Sequence, residues 1–291
     1  MAVGCLVASS TVLFIRNGER ACPTVPIEKV PRASAIRTFI ETAGEPIVPT
    51  SSSISKPRLL SEWSASLKSD RWVPCLVAVQ AEVPLQALAR YSQSTDGAQG
   101  DTSPSLLLQN LCKAYLAGVK KRRETKLLKD DIQPPSLTPG SPFFGQRFNV
   151  LGTWISPPGE ALDPSALPLT VPCPPSEFPS NKELLSQSKV DAAGAVFYWN
   201  FPLDVAAKVD KAAAFGYPFR FMLGGFHELI VEKVSDDKVQ ISYVLAEVYH
   251  LHPLDQQERD FKMIPQWTRV VHREYARSLL RGALAEINQA D

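Results

Sequence analysis

Hydrophobic and polar positions alternate with a period of two over "FRFMLGGFHELIVEKV" (219–234) and again over "KVQISYVLAEVYHLH" (238–252). Alternation of this kind predicts two half-buried strands. Ser235, Asp236 and Asp237 lie between them, and aspartate tolerates the backbone of a tight turn, so the pair reads as a hairpin. A three-residue loop sets 234 opposite 238, 231 opposite 241, 229 opposite 243 and 227 opposite 245. One face then collects Leu223, Leu229, Val231, Val239, Ile241, Tyr243, Leu245 and Leu251; the other collects Glu228, Glu232, Lys238, Gln240 and Ser242. A slip of one residue would mix the two sets. His227, Glu247 and Tyr249 fall on the apolar face.

Further elements follow from the same patterning. "RWVPCLVAVQAEV" (71–83) reads as a strand, with Pro74 marking a sheet edge or strand start. A helix is expected over 84–93 behind a first-turn proline. Residues 94–104 have loop composition. Leu108, Leu111, Cys112, Tyr115, Leu116 and Val119 recur at helical steps within a helix over 105–130. "GQRFNVLGTWI" (145–155) alternates as a strand, with Phe148, Val150 and Trp154 on one side. Residues 192–201 form another strand and 202–215 a short helix. The last helix, 265–288, carries an apolar stripe of Ala276, Leu279, Leu280, Ala283, Leu284 and Ile287. Near the start, a strand is expected to end at Arg16-Asn17-Gly18, with helices around Ser34–Thr42 and Lys56–Ser69. Residues 134–179 hold 12 of the 25 prolines, so most of that stretch is expected to be an irregular arm or lid within one domain spanning 1–291.

Composition narrows the function classes. Hydrophobic residues make up 44% and charged residues 21%, as in a globular protein with a core. With 31 basic and 30 acidic residues the net charge is +1, which argues against a nucleic-acid partner. The basic run "KKRRETKLLK" is accordingly read as a solvated helix end. Five scattered cysteines fit a reducing compartment better than a disulfide framework. The apolar stretch Ala2–Ile15 is too short to span a membrane and lacks a basic n-region, so a soluble, cytoplasmic protein is expected. Nucleotide-binding, serine-hydrolase and zinc-protease signatures are missing, and no cofactor is expected.

The candidate chemistry sits on the hairpin. His227 lies diagonal to both Glu247 and Tyr243, roughly 7–8 Å between backbones, within side-chain reach. A His–Glu or Tyr–Glu pair in an apolar pocket suits proton transfer, because burial and partnership shift pKa values. His227, Glu247, Tyr243 and Tyr249 are therefore the candidate catalytic groups. The alternative is a core histidine tied by hydrogen bonds, with Glu247 in solvent beyond the sheet; Gly224-Gly225 also allows a bulge that flips the outer strand. His250 and His252 form an H-x-H pair that Glu258 could complete, but the set is thin and no metal is assigned. His272 lies one turn before Ala276 on the final helix and is expected to look toward the sheet. Arg269, Arg273, Arg277 and Arg281 recur at four-residue steps, read as a solvated ridge or an anion grip. Aromatic residues cluster at 143–154, 197–201 and 215–226. Phe148, Trp154, Phe197, Trp199, Phe219, Phe221, Leu229, Leu245 and His272 are the expected ligand-lining residues.

"FGYPFRFMLGGFHELIVEKV", the hairpin and "HREYARSLLRGAL" resemble START-like, helix-grip proteins over residues 190–288. The resemblance implies an α+β fold: a curved antiparallel sheet wrapped around a long C-terminal helix. It also implies a deep pocket for a bulky apolar small molecule. Two functions are expected from this. One is a cofactor-independent enzyme performing cyclisation, cycloaddition or isomerisation of a natural-product type in an aromatic-lined cavity. The other is a non-catalytic lipid or terpenoid carrier of the same fold.

Overall fold

The fold comes from a computed structural model that describes residues 18–37, 72–91, 102–122, 137–138, 140–144, 148–156, 191–200, 203–220, 222, 224–250 and 266–289. Six antiparallel strands form one sheet: β1 (Trp72–Pro84), β2 (Pro142–Phe144), β3 (Phe148–Ser156), β4 (Ala192–Asn200), β5 (Gly224–Lys233) and β6 (Lys238–His250). Their spatial order is β1-β6-β5-β4-β3-β2. The helices are α1 (Leu85–Arg90), α2 (Pro104–Lys120), α3 (Leu203–Ala214) and α4 (Gln266–Gln289). The protein is thus α+β, with an antiparallel sheet and a long C-terminal helix. Among the described residues no helix is long and apolar enough to cross a membrane.

The hairpin register is the one the alternation predicts: Val231 pairs with Ile241, Leu229 with Tyr243 and His227 with Leu245. Pro74 lies, as expected, in an edge strand, β1. Cys75 sits opposite Glu247 in the β1–β6 ladder.

Both faces of the sheet are covered. On one, Val79, Ala195, Phe197, Leu229, Ile241 and Tyr243 pack with Leu111 and Tyr115 of α2 and Leu280 and Ala283 of α4. On the other, Ala78, Val196, Ile230, Val244 and Ala246 pack under Val30, Ala33, Ala35 and Ile36. The second face is the one on which the alternation collects Glu228, Glu232, Lys238, Gln240 and Ser242. Residues 18–37 reach it by passing the exposed edge of β1, where Val25 N donates to Ala78 O and Gln80 N to Pro23 O. This satisfies edge donors and acceptors that would otherwise invite pairing with another chain. Residues 18–21 are helical where a strand was expected to end.

Glu228, one of that polar set, is fully buried under this covering. Its carboxylate accepts from Ser34 Oγ (2.6 Å), Ala35 N (2.8 Å), Ile36 N (3.1 Å) and Trp154 Nε1 (2.6 Å). Ser34 Oγ also accepts from Arg37 N (3.1 Å), capping the short turn that presents these amides. Arg277 likewise belongs to no solvated ridge. It is buried on the helix face, where Nε donates to Cys22 O (3.0 Å), Nη2 to Thr24 Oγ1 (2.5 Å) and Nη1 to Glu274. One arginine and one glutamate therefore tie the N-terminal segment to opposite faces of the sheet.

Trp154 departs from its expected side. The β3–β4 register shifts between Val150 and Gly152, leaving one extra residue and inverting the alternation beyond it. Phe148 and Val150 keep the helix face, whereas Trp154 joins the opposite cluster and bonds Glu228. Gly194 opposite makes this possible, since a Cβ there would lie 2.3 Å from the indole.

α2 and α4 cross at glycines. A Cβ on Gly118 would lie 2.6 Å from the carbonyl carbon of Gly282, so the helices touch backbone to backbone. Gly118→Ala is expected to force them apart and destabilise the protein by about 1–3 kcal/mol, the cost of an overpacked core. The midpoint of urea unfolding measures it; a stabilised variant would mean that α2 or α4 shifts freely.

Candidate functional site

The helix face encloses a hollow at the end of the sheet where β4 closes and β5 begins. Tyr115 and Val119 of α2 and Tyr275 and Leu279 of α4 form its upper wall; Phe143, Phe148, Phe197, His227, Leu229 and Tyr243 of the sheet form its floor. Its volume is about 50 Å³, room for a few small groups rather than a whole bulky ligand. Tyr275 marks the mouth, since it lines the hollow while keeping 45% of its surface exposed. Aromatic stacking organises the floor. Phe143 lies on Phe197 with ring centres 3.8 Å apart, and Phe148 meets His227 edge-on at 4.7 Å.

The polar groups of this hollow form one row. The hydroxyls of Tyr115 and Tyr243 are 2.9 Å apart, and Tyr243 Oη lies 2.5 Å from His227 Nδ1. Burial pushes His227 down to about 3, so its imidazole is neutral at working pH. Burial likewise pushes both phenols above their ordinary value, and they too are neutral. Neutral groups leave two consistent proton arrangements. In one, Tyr115 donates to Tyr243, which donates to Nδ1, and His227 keeps its proton on Nε2. In the other, Nδ1–H donates to Tyr243, which donates to Tyr115, and Nε2 is an acceptor. Nε2 of His227 is thus a donor in one arrangement and an acceptor in the other.

Of the expected catalytic groups, His227 and Tyr243 meet in the hollow. Glu247 does not join them. It pairs with His272 Nδ1 at 2.5 Å, joining β6 to the start of α4. Residue 272 is three positions before Tyr275, so the pair stands beside the hollow without lining it. The hydrogen bond to Glu247 raises the pKa of His272 and favours a charged imidazolium there. The side chain of Tyr249 lies outside the described residues.

Of the expected lining residues, Phe148, Phe197 and Leu229 are in the wall. Trp199 lies on Phe148, with ring centres 6.4 Å apart, and Leu245 packs in the neighbouring core. Phe219 precedes the strand instead of belonging to it, and meets Tyr217 edge-on at 6.1 Å. Phe221, His252 and Glu258, with most of the proline-rich arm, lie outside the described residues, as does the side chain of His250. Among the described residues no cluster of three or more metal-ligating side chains occurs.

Pattern reading assigned no site role to Tyr115, Val119, Phe143, Tyr275 or Leu279. Tyr115 carried a usable signal: a hydroxyl on an otherwise aliphatic helix stripe requires a buried partner. Tyr275 carried none, being adjacent to the stripe and largely exposed.

No protein-family model matches the chain, and neither a curated protein nor a solved structure matches it.

Proposed function

We propose that the hollow receives the reacting end of a bulky apolar small molecule, and that the protein is a cofactor-independent enzyme of the isomerising or cyclising kind. The observation that carries this reading is the row Tyr115–Tyr243–His227 set into aromatic walls. Three neutral polar side chains in a core are costly unless every donor and acceptor is used, and a ligand oxygen would complete them. A neutral imidazole backed by a phenol polarises a carbonyl without introducing a buried charge. The aromatic walls hold the remaining atoms in place, and orientation lowers a barrier by several kcal/mol. The order of strands and the terminal helix support a START-like, helix-grip relationship. The free, buried thiols of Cys22 and Cys112 support a cytoplasmic setting.

One observation favours a carrier of apolar molecules instead: with its pKa near 3, His227 is a weak base. The two readings separate on turnover. A panel of apolar β,γ-unsaturated ketones is incubated with the protein, and the conjugated isomer is followed by ultraviolet absorbance. Turnover is expected in wild type and is expected to fall at least about tenfold in Tyr243→Phe, the worth of one lost hydrogen bond. Leu279→Trp, which fills the hollow, is expected to abolish it. Binding without turnover supports the carrier; neither binding nor turnover removes both readings.

A further inference from the structure

We infer that His272, held by Glu247, carries the proton in the isomerisation: it takes it from the carbon beside the ligand carbonyl and returns it to the far end of the double bond. This rests on the hollow being the isomerising site proposed above.

Moving a double bond into conjugation with a carbonyl needs two groups. One polarises the carbonyl oxygen; the other accepts a C–H proton and gives it back. The row supplies the first through Nε2 of His227, the nitrogen that Tyr243 leaves unused. It does not supply the second. Both phenols hold their protons, and burial makes the imidazole of His227 a weak base.

A pair with the required character stands at the mouth. His227 lies opposite Leu245, so Glu247 is the next residue of β6 on the same face, diagonal to His227 and roughly 7–8 Å away between backbones. Gly225, directly opposite Glu247, brings no side chain between them. The Trp199 indole leans over this glycine, with Nε1 3.1 Å from where a Cβ would stand, and Phe148 of the hollow stacks on that indole. An aromatic wall thus runs from the hollow toward Glu247.

His272 meets this carboxylate from the helix side. Its Nδ1 lies 2.5 Å from Glu247 Oε1, which fixes the ring and leaves Nε2 as the working nitrogen. The His272 side chain keeps 34% of its surface exposed, one helical turn before Tyr275. A ligand too large for a hollow of about 50 Å³ leaves it past Tyr275 and meets His272 there. Glu247 also stabilises the imidazolium formed when Nε2 takes a proton, so it raises the pKa of His272, the direction that strengthens a base. Among the described residues, the other charged groups near it are Arg273 and Glu274 beside it on α4, with Arg277 on Glu274, and Arg122 against the Tyr275 ring.

The step balances without a co-reactant. Nε2 of neutral His272 takes the proton, and the C–H electron pair moves into the carbonyl system, giving a dienolate whose oxygen accepts from Nε2–H of His227. The imidazolium then protonates the γ-carbon, and both histidines end as they began.

The test uses the β,γ-unsaturated ketone that wild type converts fastest. His272→Ala is expected to lower kcat at least about 100-fold, the worth of a general base, and added imidazole to restore part of it. In wild type kcat is expected to rise with pH through the pKa of His272, since only the neutral ring accepts a proton. Glu247→Gln is expected to move that acid limb to lower pH, which a merely structural pair would not do. A loss below about tenfold in His272→Ala, or a limb that Glu247→Gln leaves in place, overturns the inference while the turnover itself keeps the hollow as an active site. If wild type converts no ketone, the isomerase reading falls and this inference with it.

Discussion

Replacing Glu228 with leucine is expected to destabilise the protein by about 3–5 kcal/mol, the range for removing one partner from a buried charged network. The carboxylate is fully buried and accepts four hydrogen bonds, two of them from the backbone of residues 35 and 36. Leucine fills the space but leaves Ser34 Oγ, Trp154 Nε1 and two amides without an acceptor, and each such buried donor costs about 1–3 kcal/mol. Burial raises the pKa of Glu228 while these four donors oppose the rise, so the network holds a carboxyl group that water would otherwise solvate. Glu228→Gln, which keeps one carbonyl oxygen but turns an amide toward the donors, is expected to lose less. Urea unfolding with an unchanged m-value would measure both variants. A loss below about 1 kcal/mol for leucine would show that residues 34–36 leave the sheet at little cost.

Acid is expected to act through His227. Its folded pKa is near 3 and its unfolded pKa near the ordinary 6.5, so the unfolded chain takes up this proton first as pH falls. The stability that the neutral imidazole contributes is therefore complete above 6.5 and lost progressively as pH falls from 6.5 toward 3. Each unit of pH in that window removes up to about 1.4 kcal/mol. His227→Phe has no such group. Between pH 7 and pH 5 it should gain on the order of 2 kcal/mol relative to wild type, whatever its own starting stability. Glu228 is present in both proteins and drops out of the comparison. Parallel stability curves would mean that His227 is readily protonated in the folded state, which would remove the basis for a neutral row in the hollow. His272 has the opposite sign: Glu247 raises its pKa, so its contribution is complete below 6.5 and lost as pH rises through the folded value.

Much of the sheet was readable in the pattern of residues. The β5–β6 register followed from strict alternation on either side of Ser235–Asp237, because one slipped residue would have exchanged Leu229 and Val231 for Glu228 and Glu232. The same alternation brought His227 and Tyr243 to one side, and the structure places both in the hollow. The stripe of α4 was equally plain, since Ala276, Leu279, Leu280, Ala283 and Ile287 are all buried.

Two features of the fold lie beyond local alternation. Alternation reports which residues share a face but not what lies over it. It therefore groups Glu228 with polar neighbours without showing that residues 34–36 lie above it, and groups Arg277 with a ridge read as solvated or anion-gripping without showing that Cys22 and Thr24 lie against it. Alternation also assumes an unbroken ladder. The extra residue between Val150 and Gly152 turned Trp154 from the hollow to the opposite face.

Local period and turn chemistry, which act between residues close in the chain, determined from sequence alone the strands, the hairpin register and the apolar face of the last helix. Which partner Glu247 takes, which tyrosine completes the row from His227, and which segment covers the second face are contacts between residues separated by 25 to 194 positions. No local rule encodes such contacts, because they depend on how packed elements approach. Here that approach is set by two glycines where α2 meets α4, and by two buried charges that draw the N-terminal segment across the sheet.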